Sequence, residues 1–480
     1  MKNVMRLTAL FSFALLVFSC TQQSQVSLLE TVPADVKSVA VADLDKLLKE
    51  AGCGVSSGKV TFTDDVNTLM AHSGIGETEI GMITRFAGSG AVALDEVVMF
   101  SDARDRMCLT FHVKDEPTLL SMIDSCGIST GARVEADEYS YYPVQDGFIV
   151  VGNGQGWLLE RKSHDIVADV KLMLQNAEQA SVGKVEWKTR FLENDDMFAA
   201  LIDVPVSLEA YFGSAEYAAT VVGVNADSER DYAVVDVKLY TSEGKRLKIN
   251  TLLDPINSSF LKYLYPYDIA ALAVGVPADV DWHALYETFE PMMSYDTRAA
   301  LSMLLPYMKS IEGTMSFAFG PVAGAQALNM ASVETWEFAM MMPLKPGMAQ
   351  ESYNSIRQLA RNYNLPFKEV ENAMEYKSGE VTFYLSAVND CIVFSNREIV
   401  ERGDTRLSAD SFEGKAIALV ADVSYKSEIM KAMEIPFGFE FTAWVDDDRL
   451  QLRLRLNGAS ASFLESCIGA LAEDINEKNR

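Results

Sequence analysis

Histidine is almost missing from this chain: His72, His112, His164 and His283 are the only four in 480 residues, and none forms a His-x-x-His or His-x-x-x-His pair. A zinc site built from neighbouring ligands is thereby excluded, and one assembled from distant elements leaves no motif to read. Cysteine is nearly as sparse. Beyond Cys20 there are Cys53, Cys108, Cys126, Cys391 and Cys467, far apart and without a Cys-x-x-Cys pair. That pattern is neither a zinc ribbon nor a disulfide framework, and the five read as small core residues, Cys108 and Cys126 being the pair closest in sequence should one bridge form. Basic residues are short too, with 41 Lys+Arg against 68 Asp+Glu and a net charge of −27. A body of that sign repels phosphate, which argues against a nucleic-acid partner and against a basic membrane-docking face. After the first twenty residues no long apolar run appears.

What is present begins with "LLVFSC", residues 15–20. Lys2 and Arg6 precede about twelve mostly apolar residues, a length suited to a secretory signal and too short for a membrane span of roughly 20 residues. A signal ending in a small residue and then cysteine resembles the bacterial lipobox, with Val17 where leucine is commoner. That resemblance implies a signal peptide over 1–19, lipidation at Cys20 and a spacer over 20–30. Acyl chains contribute about 0.8 kcal/mol per buried methylene, enough together to hold the protein on a membrane that it does not cross. Removing residues 1–19 takes the 41 basic residues to 39 and leaves the 68 acidic ones, so the mature charge becomes −29.

The rest of the chain resembles itself at a period of about 230 residues, the size of a domain and not of a solenoid repeat. "PADVKSVAVAD" from Pro33 answers "PYDIAALAVGV" from Pro266, and "MCLTFHVKDEPTLLSMI" from Met107 answers "EFAMMMPLKPGMAQESYNSI" from Glu337. "YSYYPVQDGFIVVGN" from Tyr139 answers "TFYLSAVNDCIVFSN" from Thr382, placing Tyr141 with Tyr384 and Asn153 with Asn396. "FAALIDVPVSLEAYF" answers "AIALVADVSYKSEIM", with Asp203 facing Asp422, and each half closes on a long alternating hairpin. The expectation is an α+β fold of two tandemly duplicated domains, 31–260 and 261–472, followed by a polar tail, 473–480. Tight turns such as "QDG", "SEG" and "DDD" imply mainly antiparallel sheets, with helices covering one face. "SHDIVADVKLMLQNAEQ" has an amphipathic spacing that would lay Ile166, Val167, Val170, Leu172 and Leu174 on a sheet.

With the lipobox, a short spacer and "LLETVPADVKSVAVADLDKLLKEAG" on the page, the chain resembles a large family of uncharacterised Bacteroidetes lipoproteins, a domain of unknown function that opens on IP-x-D-x-x-x-V-x-x-x-D-x-x-x-L. The match is strongest over residues 28–53. The resemblance implies anchoring in the cell envelope at the outer membrane, and it brings no reaction, cofactor or catalytic residue. In such lipoproteins an acidic cluster just after the cysteine resembles a surface-export signal; here no acid occurs before Glu30, which points to the periplasmic face.

Candidate chemistry reads weakly. "GVSSG", Gly54–Gly58, matches a nucleophile elbow and Ser56 to Lys59 match Ser-x-x-Lys, but a helix precedes where an elbow needs a strand, so a helix cap and loop is the better reading. "GNGQG", Gly152–Gly156, has the wrong spacing for a dinucleotide fingerprint and reads as a turn, its counterpart being "SNREI". "DDD", Asp446–Asp448, lacks the alternating oxygen ligands of a calcium loop and reads as a hairpin turn. Asp203 and Asp422 recur at strand ends as helix caps do. No catalytic residue, metal or cofactor is assigned. The function expected is a non-enzymatic binding or accessory module for an envelope protein, peptide or glycan. The alternative is a hydrolase assembled from distant loops, which would require Ser56, a histidine and an acid to converge.

Overall fold

Runs of alternating apolar residues bounded by Gly, Asn and Asp form strands along the chain, as a half-buried pleated surface requires. The computed structural model describes residues 27–478, leaving out 205–216, 323–334, 424–437, most of 291–307 and several shorter pieces. The expected signal peptide and Cys20, together with Cys126 and His164, lie outside the described residues. The chain divides into two units, Met1–Leu247 with Ala459–Arg480, and Lys248–Gly458.

The first unit holds β1 (Ser38–Ala42), β2 (Gly54–Ser56), β3 (Lys59–Thr61), β4 (Val92–Ser101), β5 (Met107–Val113), β6 (Val134–Ala136) and β7 (Tyr139–Val144). It continues with β8 (Gly147–Gly152), β9 (Gln155–Glu160), β10 (Phe198–Asp203), β11 (Tyr217–Ala226), β12 (Asp231–Tyr240) and β13 (Arg246–Leu247). Apart from the β2–β3 hairpin they pair antiparallel in the order β6-β7-β8-β9-β5-β4-β1-β10-β11-β12-β13. Helices α1 (Leu44–Glu50), α2 (Asp64–His72), α3 (Glu77–Ser89) and α4 (Glu116–Ser125) join one core with Val97 and Leu109. Helices α5 (Ile166–Gln179) and α6 (Glu186–Leu192) and the 3-10 turn Leu28–Thr31 join another with Val98 and Cys108. Neighbours on one strand point to opposite faces, so both faces of this sheet are covered, where one was expected.

The second unit holds β14 (Ala270–Val276), helix α7 (Trp282–Phe289), β15 (Gly313–Pro321), β16 (Trp336–Pro343), helix α8 (Met348–Asn362), β17 (Phe367–Val370) and β18 (Ala373–Ser378). Then follow β19 (Val381–Val388), β20 (Cys391–Ser395), β21 (Ile417–Val423), β22 (Gly438–Val445) and β23 (Leu450–Asn457). Their antiparallel order is β17-β18-β19-β20-β16-β15-β14-β21-β22-β23. Strand for strand this is the order from β6 to β12. The fold is α+β with large antiparallel sheets.

Several sequence expectations shift. The last helix, α9 (Phe463–Lys478), belongs to the first unit and continues through 473–478; it holds no Pro, and Phe463 and Ala472 are buried. In α5 Val170, Met173 and Ala177 are buried and Ile166, Val167 and Leu174 pack beside them, so of the expected face only Leu172, 45% exposed, turns to solvent. The Pro33/Pro266 correspondence slips by one as well. Asp203 donates its N–H to Lys37 O at 2.9 Å and Asp422 donates to Ile269 O at 2.8 Å, so Lys37 holds in the first unit the place that Ile269 holds in the second, and Pro33 answers Tyr265. A slip of one residue exchanges the two faces of a strand. The hairpin β8–β9 occupies the place of β19–β20, so the turn at Asn153 and Gly154 answers the one at Asn389, and not "SNREI". Asn153 and Asn389 share a left-handed backbone, with φ of 54° and 52°, at the first position of each turn.

Candidate functional site

Ser56 ends a three-residue strand, is exposed and pairs with Lys59 across the β2–β3 hairpin, so no strand-to-helix elbow exists there. No hydrogen bond joins it to a histidine among the described residues. His112 is 6% exposed with Nε2 3.2 Å from Glu96 Oε2, and His283 pairs with Glu287 one turn along its helix. His72 ends α2 and faces solvent. Asp446 closes the β22–β23 turn, its Oδ1 accepting the Arg449 N–H at 3.1 Å, while Asp447 takes Lys248 Nζ at 2.8 Å. Among the described residues no group of three or more His, Cys, Asp or Glu could hold a metal ion, and no helix is long and apolar enough to cross a membrane, which says nothing of a β-barrel.

The site that stands out is a surface that no sequence motif marked. In the second unit the strand register places Leu419, Leu272, Phe317, Met340, Phe394 and Leu385 side by side across β21, β14, β15, β16, β20 and β19. The rows on either side of it are Ala421, Ala270, Phe319 and Phe338, and Ile417, Val274 and Met315. Continuing outward, β22 adds Phe441 and Ala443 and β23 adds Leu452 and Leu454. Across these strands the face carries no charged side chain.

Burial along the strands is the reverse of the usual pattern. Small residues of the opposite face, Ala271, Ala273, Ser316, Ala318, Ala339 and Ala418, are 5% exposed or less. The large residues of the charge-free face are only half-buried, and Leu272 and Phe317 are each 38% exposed. The reason is what covers each side. Small side chains let the 3-10 turn Ser258–Tyr263 and the stretch around Leu407 and Phe412 pack closely on their face. On the other face α8 covers one end, setting Ala349, Tyr353 and Ala360 against Met374 and Ile392, with Leu385 and Ala387 beside them.

Beyond α8 the surface is aromatic. Phe383 stacks on Phe394 with centroids 5.7 Å apart and planes 9° from parallel, and Phe338 lies 5.6 Å from Phe394 and 5.9 Å from Phe317. Such contacts contribute about 0.5–1.5 kcal/mol beyond area burial. They fix these rings against one another, which lowers the cost of ordering them when a partner docks. Period-2 alternation was visible in the sequence, but which phase of it faced the covered side was not.

No protein-family model matches the chain, and no curated protein matches it. Among solved structures, crystal form I of TP0453 aligns with 45% of this chain and 81% of its own, at 10% identity and a TM-score of 0.29. Crystal form III aligns over the same shares at 12% identity and a TM-score of 0.30. A likeness this slight carries no argument about fold or function.

Proposed function

We propose that this chain is an envelope lipoprotein, anchored through Cys20 at the periplasmic face of the outer membrane, whose body of two tandemly duplicated α+β domains acts as a non-enzymatic binding module. The duplication is supported by the equal pairing order of the two units and by Asp203 and Asp422 standing at the same place in it. The anchoring rests on the sequence around Cys20.

The binding reading is carried by one observation: the charge-free, half-exposed face centred on Leu272 and Phe317. Its occupant is the apolar side of an amphipathic helix from an envelope protein. A glycan needs hydrogen-bonding side chains, which this face does not offer, and an extended peptide would leave its backbone N–H and C=O groups unpaired at a cost of about 1–3 kcal/mol each. A helix satisfies its own backbone. The chain already seats α8 on the same face, with Trp282 of α7 in the same cluster, and a further helix beside them would extend that layer. Covering about 400 Å² of apolar surface contributes roughly 10 kcal/mol, against association costs of about 4–15 kcal/mol, so a partner of several helical turns is required.

A photo-crosslinking residue placed at Leu272 or Phe317 in living cells, followed by sequencing of the joined peptide, tests this. An amphipathic helical segment of another envelope protein, lost when the neighbouring Leu419 is changed to Asp, supports the reading. Joining to a lipid, a glycan, a second copy or this chain itself overturns it.

A further inference from the structure

The chain is locked from its first described residue. Leu28 and Leu29 are fully removed from solvent, in a core that contains Val98, Phe100 and Trp157. Leu28 donates its N–H to Glu96 Oε1 at 3.1 Å, and Ser27 Oγ donates to Glu193 Oε1 at 2.8 Å. The other oxygen of Glu96 meets His112 Nε2 at 3.2 Å, which ties the contact to β5. Close behind, Gly183 sits where an added Cβ would come within 2.8 Å of Glu30 N, so the 3-10 turn Leu28–Thr31 is pinned against the neighbouring turn Val182–Lys184. The chain is therefore held in place from Ser27 onward.

We propose that this lock fixes which surface of the first unit faces the lipid: the one bearing Ser27, Glu30 and Glu193. The proposal rests on the lipid-anchor reading above. Cys20 and Ser27 are seven residues apart, so the tether spans at most about 25 Å even fully extended. A compact unit of about 240 residues is roughly 45 Å across. The tether is shorter than the unit is broad, so Ser27 cannot lie on the side away from the bilayer. Glu30 and Glu193 are exposed on this surface, and their charge, with the acidic body behind it, keeps the surface facing anionic headgroups without adhering to them. The partner is therefore a lipid surface at short range. The opposite side of the sheet, where α2 exposes Asp64, is turned away from the bilayer.

The test uses acylated full-length protein on vesicles of phosphatidylcholine doped with a maleimide-headgroup lipid, comparing Glu30→Cys, which leaves the Ser27–Glu193 and Leu28–Glu96 contacts in place, with Asp64→Cys and subtracting the protein without an added cysteine. Glu30→Cys is expected to couple to lipid several-fold more than Asp64→Cys, since a tether that cannot span the distance gives an effective concentration near zero. A Gly/Ser insert of about twelve residues after Gln23 adds about 40 Å of reach and should bring the two positions level. Equal coupling with the native tether overturns the proposal. Flotation separates this from failure of the anchor: wild-type protein that does not float with vesicles, or Cys20→Ser protein that floats equally well, overturns the anchor reading and this inference with it.

Discussion

Arg397 and Asp268 form a two-pronged ion pair in the second unit, with Nη2 to Oδ2 at 2.7 Å and side chains 3% and 0% exposed. Asp268 also accepts the Tyr265 N–H at 2.8 Å, and the Arg397 guanidinium lies 4.2 Å from the centre of the Tyr265 ring. Removing one partner strands a buried charge. Arg397→Leu or Asp268→Leu alone should cost about 3–5 kcal/mol in urea unfolding, whereas the double replacement should recover most of that loss. A double-variant loss equal to the sum of the two single losses would show that the pair is not coupled.

The contact at the start of the described chain depends on Glu96. Its carboxylate takes the Leu28 N–H and the His112 ring together, so Glu96→Ala should release the turn Leu28–Thr31 and raise hydrogen exchange there, at a cost of about 1–3 kcal/mol. Mass-spectrometric exchange over residues 27–36 measures it, with the peptide containing β14 as the internal reference.

Alkaline stability should report on Tyr267. Burial first, and then the hydrogen bond its hydroxyl donates to Glu337 Oε2 at 2.8 Å, push its pKa well above the ordinary tyrosine value. A raised folded-state pKa gives stability that is complete below the unfolded value near pH 10 and is lost as pH rises toward the folded one. Wild-type stability should therefore fall more steeply above about pH 10 than that of Tyr267→Phe. Parallel curves would mean that the phenol is not held in this way.

Cys108 is fully buried, and burial pushes its thiol up to about 12 although the Arg106 charge pulls the other way. Because the thiolate is the reactive form, Cys108 should stay unmodified by a thiol reagent at pH 8 in the native protein and react once the chain is unfolded. Peptide mapping distinguishes it from the other cysteines.

Some of this molecule was readable from local pattern. The strands and their tight turns follow from alternation and from Gly, Asn and Asp, whereas the "GVSSG" stretch, expected as a helix cap and loop, is part of the β2–β3 hairpin, with a strand after Ser56 where an elbow requires a helix. The turn at Asp446–Asp448 was legible as a hairpin for the same reason: short-range backbone geometry depends on a few adjacent residues. Buried pairs such as Arg397 with Asp268, 129 positions apart, left no such trace.

Composition and sequence order by themselves determined the excess of negative charge, the absence of local metal motifs, the α+β character and the succession of strands. The tertiary structure decided what depends on register and on covering. It gave Lys37 in the first unit the place that Ile269 holds in the second, turned Leu172 of α5 to water, and drew α9 onto the first unit. It also left Leu272 and Phe317 half-open while the small residues beside them are buried. An alternating strand specifies two faces equally well. Which of them becomes interior depends on what packs there, and that is fixed by segments far away in the chain.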